Sequence, residues 1–220
     1  MYKNSWFDGY FYAYGSGNNE GSYANVAARY GAVCDTDTNP SHNFVEAWAM
    51  VAGRDTQGYV QTGYTRGYNQ CTVLFGQVRQ NDTFTPQSKY GTSCIATDGT
   101  TYGFGERYGP TCGCEYAKIN GNVWMTTSWN PYSYWATPFA PEFFGEATYR
   151  ESDMPGNAAN PTSFTGLQGQ DASTDNFYNI GCNVLTKQND WLANRGDGES
   201  WYDRITSCPS FNIYTDVAGH

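Results

Sequence analysis

The runs Phe44-Val-Glu-Ala-Trp-Ala-Met-Val-Ala52 and Tyr59-Val-Gln-Thr-Gly-Tyr-Thr-Arg-Gly-Tyr68, joined by Gly53-Arg-Asp-Thr-Gln-Gly58, decide how this chain is to be read. Two apolar and aromatic segments flank a polar stretch bounded by glycines, which is the pattern of a β-hairpin. Outward from this hairpin the same pattern repeats. Gly9 to Gly15 is an aromatic strand that ends in the turn Ser16-Gly17-Asn18-Asn19, and Ser22 to Tyr30 alternates polar with apolar residues. Thr72 to Arg79 adds a strand, and 81–100 reads as loop-rich. Cys114 to Ile119 and Val123 to Thr127 flank Asn120-Gly121-Asn122, a strong hairpin signal. After an aromatic, proline-containing loop over 130–141 come strands at Glu142 to Glu151, Thr162 to Gln168 and Ser210 to Thr215. The stretch 171–208 is hardest to read, with a short helix placed near Asn189 to Asn194.

Short strands at this spacing, without helical periodicity, predict an all-β protein: a two-sheet antiparallel sandwich of jelly-roll or concanavalin-like form. The 220 residues show no repeat or composition break, so one domain over 1–220 is expected. Aromatics make up 17%, with 19 tyrosines, and there are 25 glycines, a mixture that favours pleated strands and tight turns. With 21 acidic against 12 basic residues the net charge is −9 and the pI about 4.5. Nucleic acid and anionic membranes are therefore excluded as partners, since phosphate binding needs clustered Lys and Arg. No apolar stretch approaches the length of a membrane span.

The seven cysteines are Cys34, Cys71, Cys94, Cys112, Cys114, Cys182 and Cys208. Zinc sites show paired knuckles or neighbouring histidines, and the chain has only His42 and His220. Disulfides formed in an oxidising compartment are the better reading, which makes the protein secreted or extracellular. Met1-Tyr-Lys-Asn4 leads into no export signal, so the sequence reads as a mature or trimmed form. An odd count leaves one thiol over and self-association through it open; the pairing itself cannot be derived.

Function follows partly by elimination. Neither His42, in a loop, nor His220, at the end, is placed as the base of a Ser-His or Cys-His site. There is no phosphate loop, dinucleotide fingerprint or metalloprotease helix motif, and no ordered metal-ligand spacing, so neither cofactor nor metal is expected. Carboxylate and amide chemistry remain. With a side-chain period of two, Tyr59, Gln61 and Gly63 share one strand face, and Glu142, Phe144 and Glu146 share another. Two carboxylates beside a phenylalanine sit poorly in a packed core. That face is either a solvent-lined groove or the outside of a sheet.

These same residues resemble two peptidase families. Ala47-Trp48 through Gly53, followed by Tyr59-Val-Gln-Thr-Gly63, is similar to the Trp…Gly, Leu-Gln-Thr-Gly hairpin of the eqolisins, the fungal glutamic peptidases. In that family the Gln of this motif is half of the catalytic dyad, which implies the role for Gln61. Pro141-Glu-Phe-Phe-Gly-Glu146 resembles the eqolisin segment Ala-Glu-Trp-Ile-Val-Glu, whose first Glu is catalytic and falls on Glu142. It also resembles the neprosin family's Gln-Phe-Gly-Gly-Glu, whose catalytic Glu falls on Glu146; that family has Glu where this chain has Gln61. Both families are secreted β-sandwiches.

The resemblance implies an acid endopeptidase acting on polypeptides. A glutamate would serve as general base on a water, and the Gln61 amide would stabilise the oxyanion. Glu146 is the first choice of base, because Phe-Gly-Glu is the closer local match; Glu142, at the strand start after Pro141, is the second. The rival reading is a non-catalytic extracellular binding, surface or filament protein on the same scaffold. In it Trp129, Tyr134 and Trp135 form a platform for sugars or peptides, or pack over one end of the sandwich. Glycoside cleavage is disfavoured, since carboxylates at i and i+4 of a strand lie about 13 Å apart.

Overall fold

The computed structural model describes residues 6–12, 19–33, 44–54, 58–147, 153–189 and 200–216. Among them are fifteen strands: β1 (Trp6–Tyr12), β2 (Asn19–Arg29), β3 (Phe44–Gly53), β4 (Tyr59–Gly67), β5 (Val73–Arg79), β6 (Gln87–Tyr90), β7 (Asp98–Gly109), β8 (Cys114–Ile119), β9 (Asn122–Thr126), β10 (Phe139–Ala147), β11 (Thr162–Asp171), β12 (Phe177–Asn179), β13 (Leu185–Asn189), β14 (Ser200–Ser207) and β15 (Ser210–Asp216). Every ladder between them is antiparallel.

The strands form an all-β sandwich. One sheet runs β13-β1-β10-β3-β4-β5-β6, the other β9-β8-β7-β2-β11-β15-β14, with β12 also on β11. A single pair, Phe139 with Asn19, joins them. Alternation sorts the side chains. Ala24, Val26 and Ala28 of β2 meet Ala47 and Ala49 of β3, Tyr64 of β4, Phe104 of β7 and Phe143 of β10 between the sheets. The Tyr64 and Phe104 rings lie 6.4 Å apart, and the Tyr64 hydroxyl is 3.0 Å from that of Thr162.

Polar groups also enter this interior. Glu106 is fully buried and accepts from Thr62 Oγ1 at 2.8 Å and from Ser22 Oγ. Glu115 is fully buried with neither carboxyl oxygen hydrogen-bonded. Glu20 accepts from the Tyr132 hydroxyl at 2.7 Å.

The Phe44 and Tyr59 hairpin forms as expected, and so does the one around Asn120-Gly121, where Asn120 (φ 51°) and Gly121 (φ 78°) make a two-residue turn and Asn122 already pairs with Ile119. Other expectations need correction. The loop-rich region 81–100 also holds β6 and the start of β7, neither of which is expected as a strand. β10 begins at Phe139, inside the stretch read as aromatic loop, and β12, β13 and β14 occupy the unread segment. β6 hid because all four residues are exposed. β7 hid because glycines interrupt its alternation: a Cβ at Gly103 or Gly105 would fall 2.6 or 2.9 Å from the Tyr23 side chain lying over them.

Three disulfides join Cys71 to Cys94, Cys112 to Cys114 and Cys182 to Cys208. Cys34, His42 and His220 lie outside the described residues. So do the strand extensions expected beyond Tyr12 and Ala147, the centre of the turn at 55–57, and the helix placed at 189–194 apart from Asn189, which ends β13. No helix among the described residues is long and apolar enough to cross a membrane.

Candidate active site

The outer face of β10, β3, β4 and β5 floors an open cleft of about 550 Å³, walled at one side by the 82–86 turn between β5 and β6. β3 is buried on both faces for this reason, its odd-numbered residues under the core and Glu46, Trp48 and Met50 under the cleft. The face left open between groove and outer surface by the sequence is thus a groove.

Strand register lays the floor out in rows. One row runs Glu142, Met50, Gln61, Gln77. The next is Phe144, Trp48, Gly63, Phe75, and the third Glu146, Glu46, Thr65, Val73. With neighbouring strands about 4.8 Å apart, the Glu142 and Gln61 backbones stand about 10 Å apart across Met50. Two long side chains and one water bridge such a gap. Glu146 lies four residues further along β10, about 13 Å by strand rise, and opposite Glu46.

The middle row is apolar and tightly fitted. The Trp48 and Phe144 rings pack at 5.2 Å. Gly63 lets β4 lie close against β3, since a Cβ there would sit 2.3 Å from the Ala47 carbonyl and 2.7 Å from Trp48 Cβ. Trp48 Nε1 donates to Glu146 Oε2 at 3.1 Å.

Electrostatically the third row is a carboxyl pair. Glu46 is held well above the usual carboxylate range, first by burial and then by the negative charge of Glu146; a hydrogen bond with Thr65 works the other way. Burial and the nearby negative charge thus both favour the protonated form of Glu46. The first row ends in amides. Gln61 Nε2 donates to Gln77 Oε1 at 3.5 Å, the Tyr59 hydroxyl donates to the same oxygen, and Gln77 Nε2 donates to Ser88 Oγ at 2.7 Å.

Of the expected site residues, Gln61, Glu142 and Glu146 all line this cleft. Trp129, Tyr134 and Trp135 do not. Trp135 is buried, 5.2 Å from the Phe139 ring and 5.5 Å from Trp129, and its Nε1 donates to the Gln80 carbonyl at 2.9 Å. Tyr134 alone of the three is exposed. Trp135 belongs to a buried cluster with Phe139, and Trp129 packs against it. Glu46 and Gln77 were not singled out from sequence. Glu46 shares its parity with Trp48, but its partner is 100 residues away, and nothing local announces the pair.

No protein-family model matches the chain, and no curated protein matches it in sequence. Solved structures do match in fold. Scytalido-glutamic peptidase with a transition-state analogue inhibitor superposes with a TM-score of 0.62 at 10% identity, over 95% of this chain and 97% of that one. The same peptidase with a peptide-based analogue gives 0.61 at 8%, over the same shares of the two chains. SCP-B, a member of the eqolisin family in complex with the tripeptide Ala-Ile-His, gives 0.59 at 9%, again over 95% and 97%. At these identities the likeness is one of fold. It extends over the whole sandwich and meets the eqolisin half of the sequence resemblance; none of these comparisons bears on the neprosin half.

Proposed function

We propose that this protein is a secreted glutamic endopeptidase that cleaves polypeptides in acidic medium, with Glu142 as general base and Gln61 as its amide partner. One observation carries the reading: Glu142 and Gln61 stand in the same row of an open cleft, on either side of Met50. The whole-chain fold likeness to glutamic peptidases supports it. Three disulfides suit an oxidising compartment outside the cell.

The chemistry runs through a water held between the two side chains. Glu142 takes a proton from it as its oxygen attacks the peptide carbonyl. A Gln61 N–H donates to the oxygen on which negative charge develops, an effect worth about 3 kcal/mol at comparable sites. Protonated Glu142 then passes the proton to the leaving amine. Glu146, first choice on local sequence, is engaged by Trp48 and faced by Glu46, and is too far along the strand to share a water with Gln61.

The test is hydrolysis of a denatured protein substrate at about pH 3–5, bracketing the reference carboxyl pKa. Gln61→Ala should lose about a hundredfold or more in kcat, and Glu142→Gln more still, while Glu146→Gln keeps most activity. Cleavage that survives Glu142→Gln but not Glu146→Gln would move the base to Glu146. A folded wild type that cleaves nothing would leave the non-catalytic binding or structural reading in its place.

A further inference from the structure

We infer that Gln77 is a positioning residue that restrains the Gln61 amide by pairing with it; its catalytic significance rests on the reading above. A glutamine side chain has a donor end and an acceptor end of nearly equal shape, and a half-turn about its last bond exchanges them. The proposed chemistry needs both ends in set places, the carbonyl to accept from the attacking water and an N–H to meet the oxyanion. Nothing in Gln61 itself makes that choice.

The neighbouring strand ties that choice to a second amide. Gln61 and Gln77 are register partners on β4 and β5. Gln77 Oε1 receives the Gln61 Nε2 donor and the Tyr59 hydroxyl together, while its own Nε2 is directed to Ser88 on β6. Reversing either amide alone would set N–H against N–H or carbonyl against carbonyl. The two orientations are therefore coupled, and Gln77 is itself held by the Tyr59 and Ser88 hydroxyls, each of which can donate or accept. Gln61 is 94% buried, so few other groups can compete for its amide. One N–H is spent on Gln77, and the second N–H and Oε1 are left to the cleft. Gln77 touches no reacting atom. It acts through Gln61.

The experiment combines kinetics with a readout independent of turnover. Gln77→Leu removes the acceptor at similar volume, and kcat should fall about ten- to a hundredfold, the scale of a misplaced catalytic group, with KM within about twofold. Gln77→Glu keeps an acceptor and should restore most of that loss, which a merely space-filling role would not require. In parallel, the side-chain NH₂ signals of Gln61, identified by their disappearance in Gln61→Glu, are followed by ¹⁵N NMR. One proton should be protected from exchange in the wild type and lose that protection in Gln77→Leu. Unchanged Gln61 signals in Gln77→Leu, or an unchanged kcat, overturn the inference. A wild type without peptidase activity whose Gln61 amide still loses protection in Gln77→Leu would overturn the catalytic reading while leaving the orienting contact established.

Discussion

Glutamates gather in two regions, on the outer face of one sheet and between the two sheets, and the contrast separates an open cleft from mere burial. Glu46, Glu142 and Glu146 lie under the open cleft. Glu20, Glu106 and Glu115 lie between the sheets, at 2%, 0% and 0% exposure. Burial raises carboxyl pKa values in both regions. Glu46 and Glu106 stand well above the ordinary range, Glu115 does so with the charges of Glu106 and Glu20 added, and Glu20 is pushed up to about 7. A raised pKa is thus no mark of a site by itself. What distinguishes the cleft is that it opens to solvent and holds an amide in register with a glutamate; the interior trio has neither. Among the described residues no lysine or arginine is hydrogen-bonded to any of the interior three, which fits a protein that is most stable when they are neutral.

The sharpest way to break this contrast is to neutralise one carboxyl from each region. Glu142→Gln should lower kcat by about a thousandfold or more, within the usual reach of acid–base catalysis, with Tm nearly unchanged. Glu115→Met should leave cleavage intact. If instead Glu115→Met abolished cleavage in a folded protein, the interior group would belong to the site.

Thermal melts across pH test the interior next. Each buried carboxyl has a folded pKa above its unfolded value of about 4.3, so the native state binds more protons than the unfolded chain in between. Their stabilisation is complete below that unfolded value and is lost as pH rises through the folded values, for Glu20 by a little above pH 7. Around Glu20 the Tyr132 hydroxyl favours ionisation, while Asp175 and Asp171 oppose it along with burial. Ser22 and Thr62 favour ionisation of Glu106, against burial. Wild-type Tm should therefore fall by roughly 5–10 °C between about pH 4.5 and 7.5, at about 2–4 °C per kcal/mol for this length. A flat or rising profile would show that these carboxyls find partners on folding.

A smaller effect isolates Glu115. Glu115→Met should recover about 2–4 °C of Tm near pH 7.5 and little near pH 4, because the charged form alone is penalised. Equal gains at both values would assign the effect to packing. Smallest of all, Trp48→Phe removes the donor to Glu146 while keeping a ring against Phe144, and should lower Tm by about 2 °C, as one hydrogen bond of about 1 kcal/mol does.

Much of this molecule was legible from neighbours in the chain. The alternation in Phe44–Gly53 and Tyr59–Gly67 placed β3 and β4, and the positive-φ turn at Asn120-Gly121 followed from residues that tolerate it. Strands without a local signature escaped: exposed β6, glycine-interrupted β7, and the three-residue β12. The site was half legible in the same sense. Glu142, Phe144 and Glu146 could be put on one face by parity, and Gln61 on another, but parity does not say which glutamate stands opposite which partner.

The sequence by itself determined the fold class, the strand faces and the supply of carboxylate and amide groups, because a side-chain period of two and turn chemistry act over a few residues. Only the tertiary structure decided the rows. Pairing β10 with β3 joins residues nearly a hundred positions apart, and its register puts Glu142 in line with Gln61 while setting Glu146 against Glu46. A two-residue slip of that register would preserve every face and put each of these glutamates in a different row. Register is fixed by the packing of both sheets at once, Phe143 on Ala49 beneath and Phe144 on Trp48 above. No single stretch of the chain contains that information.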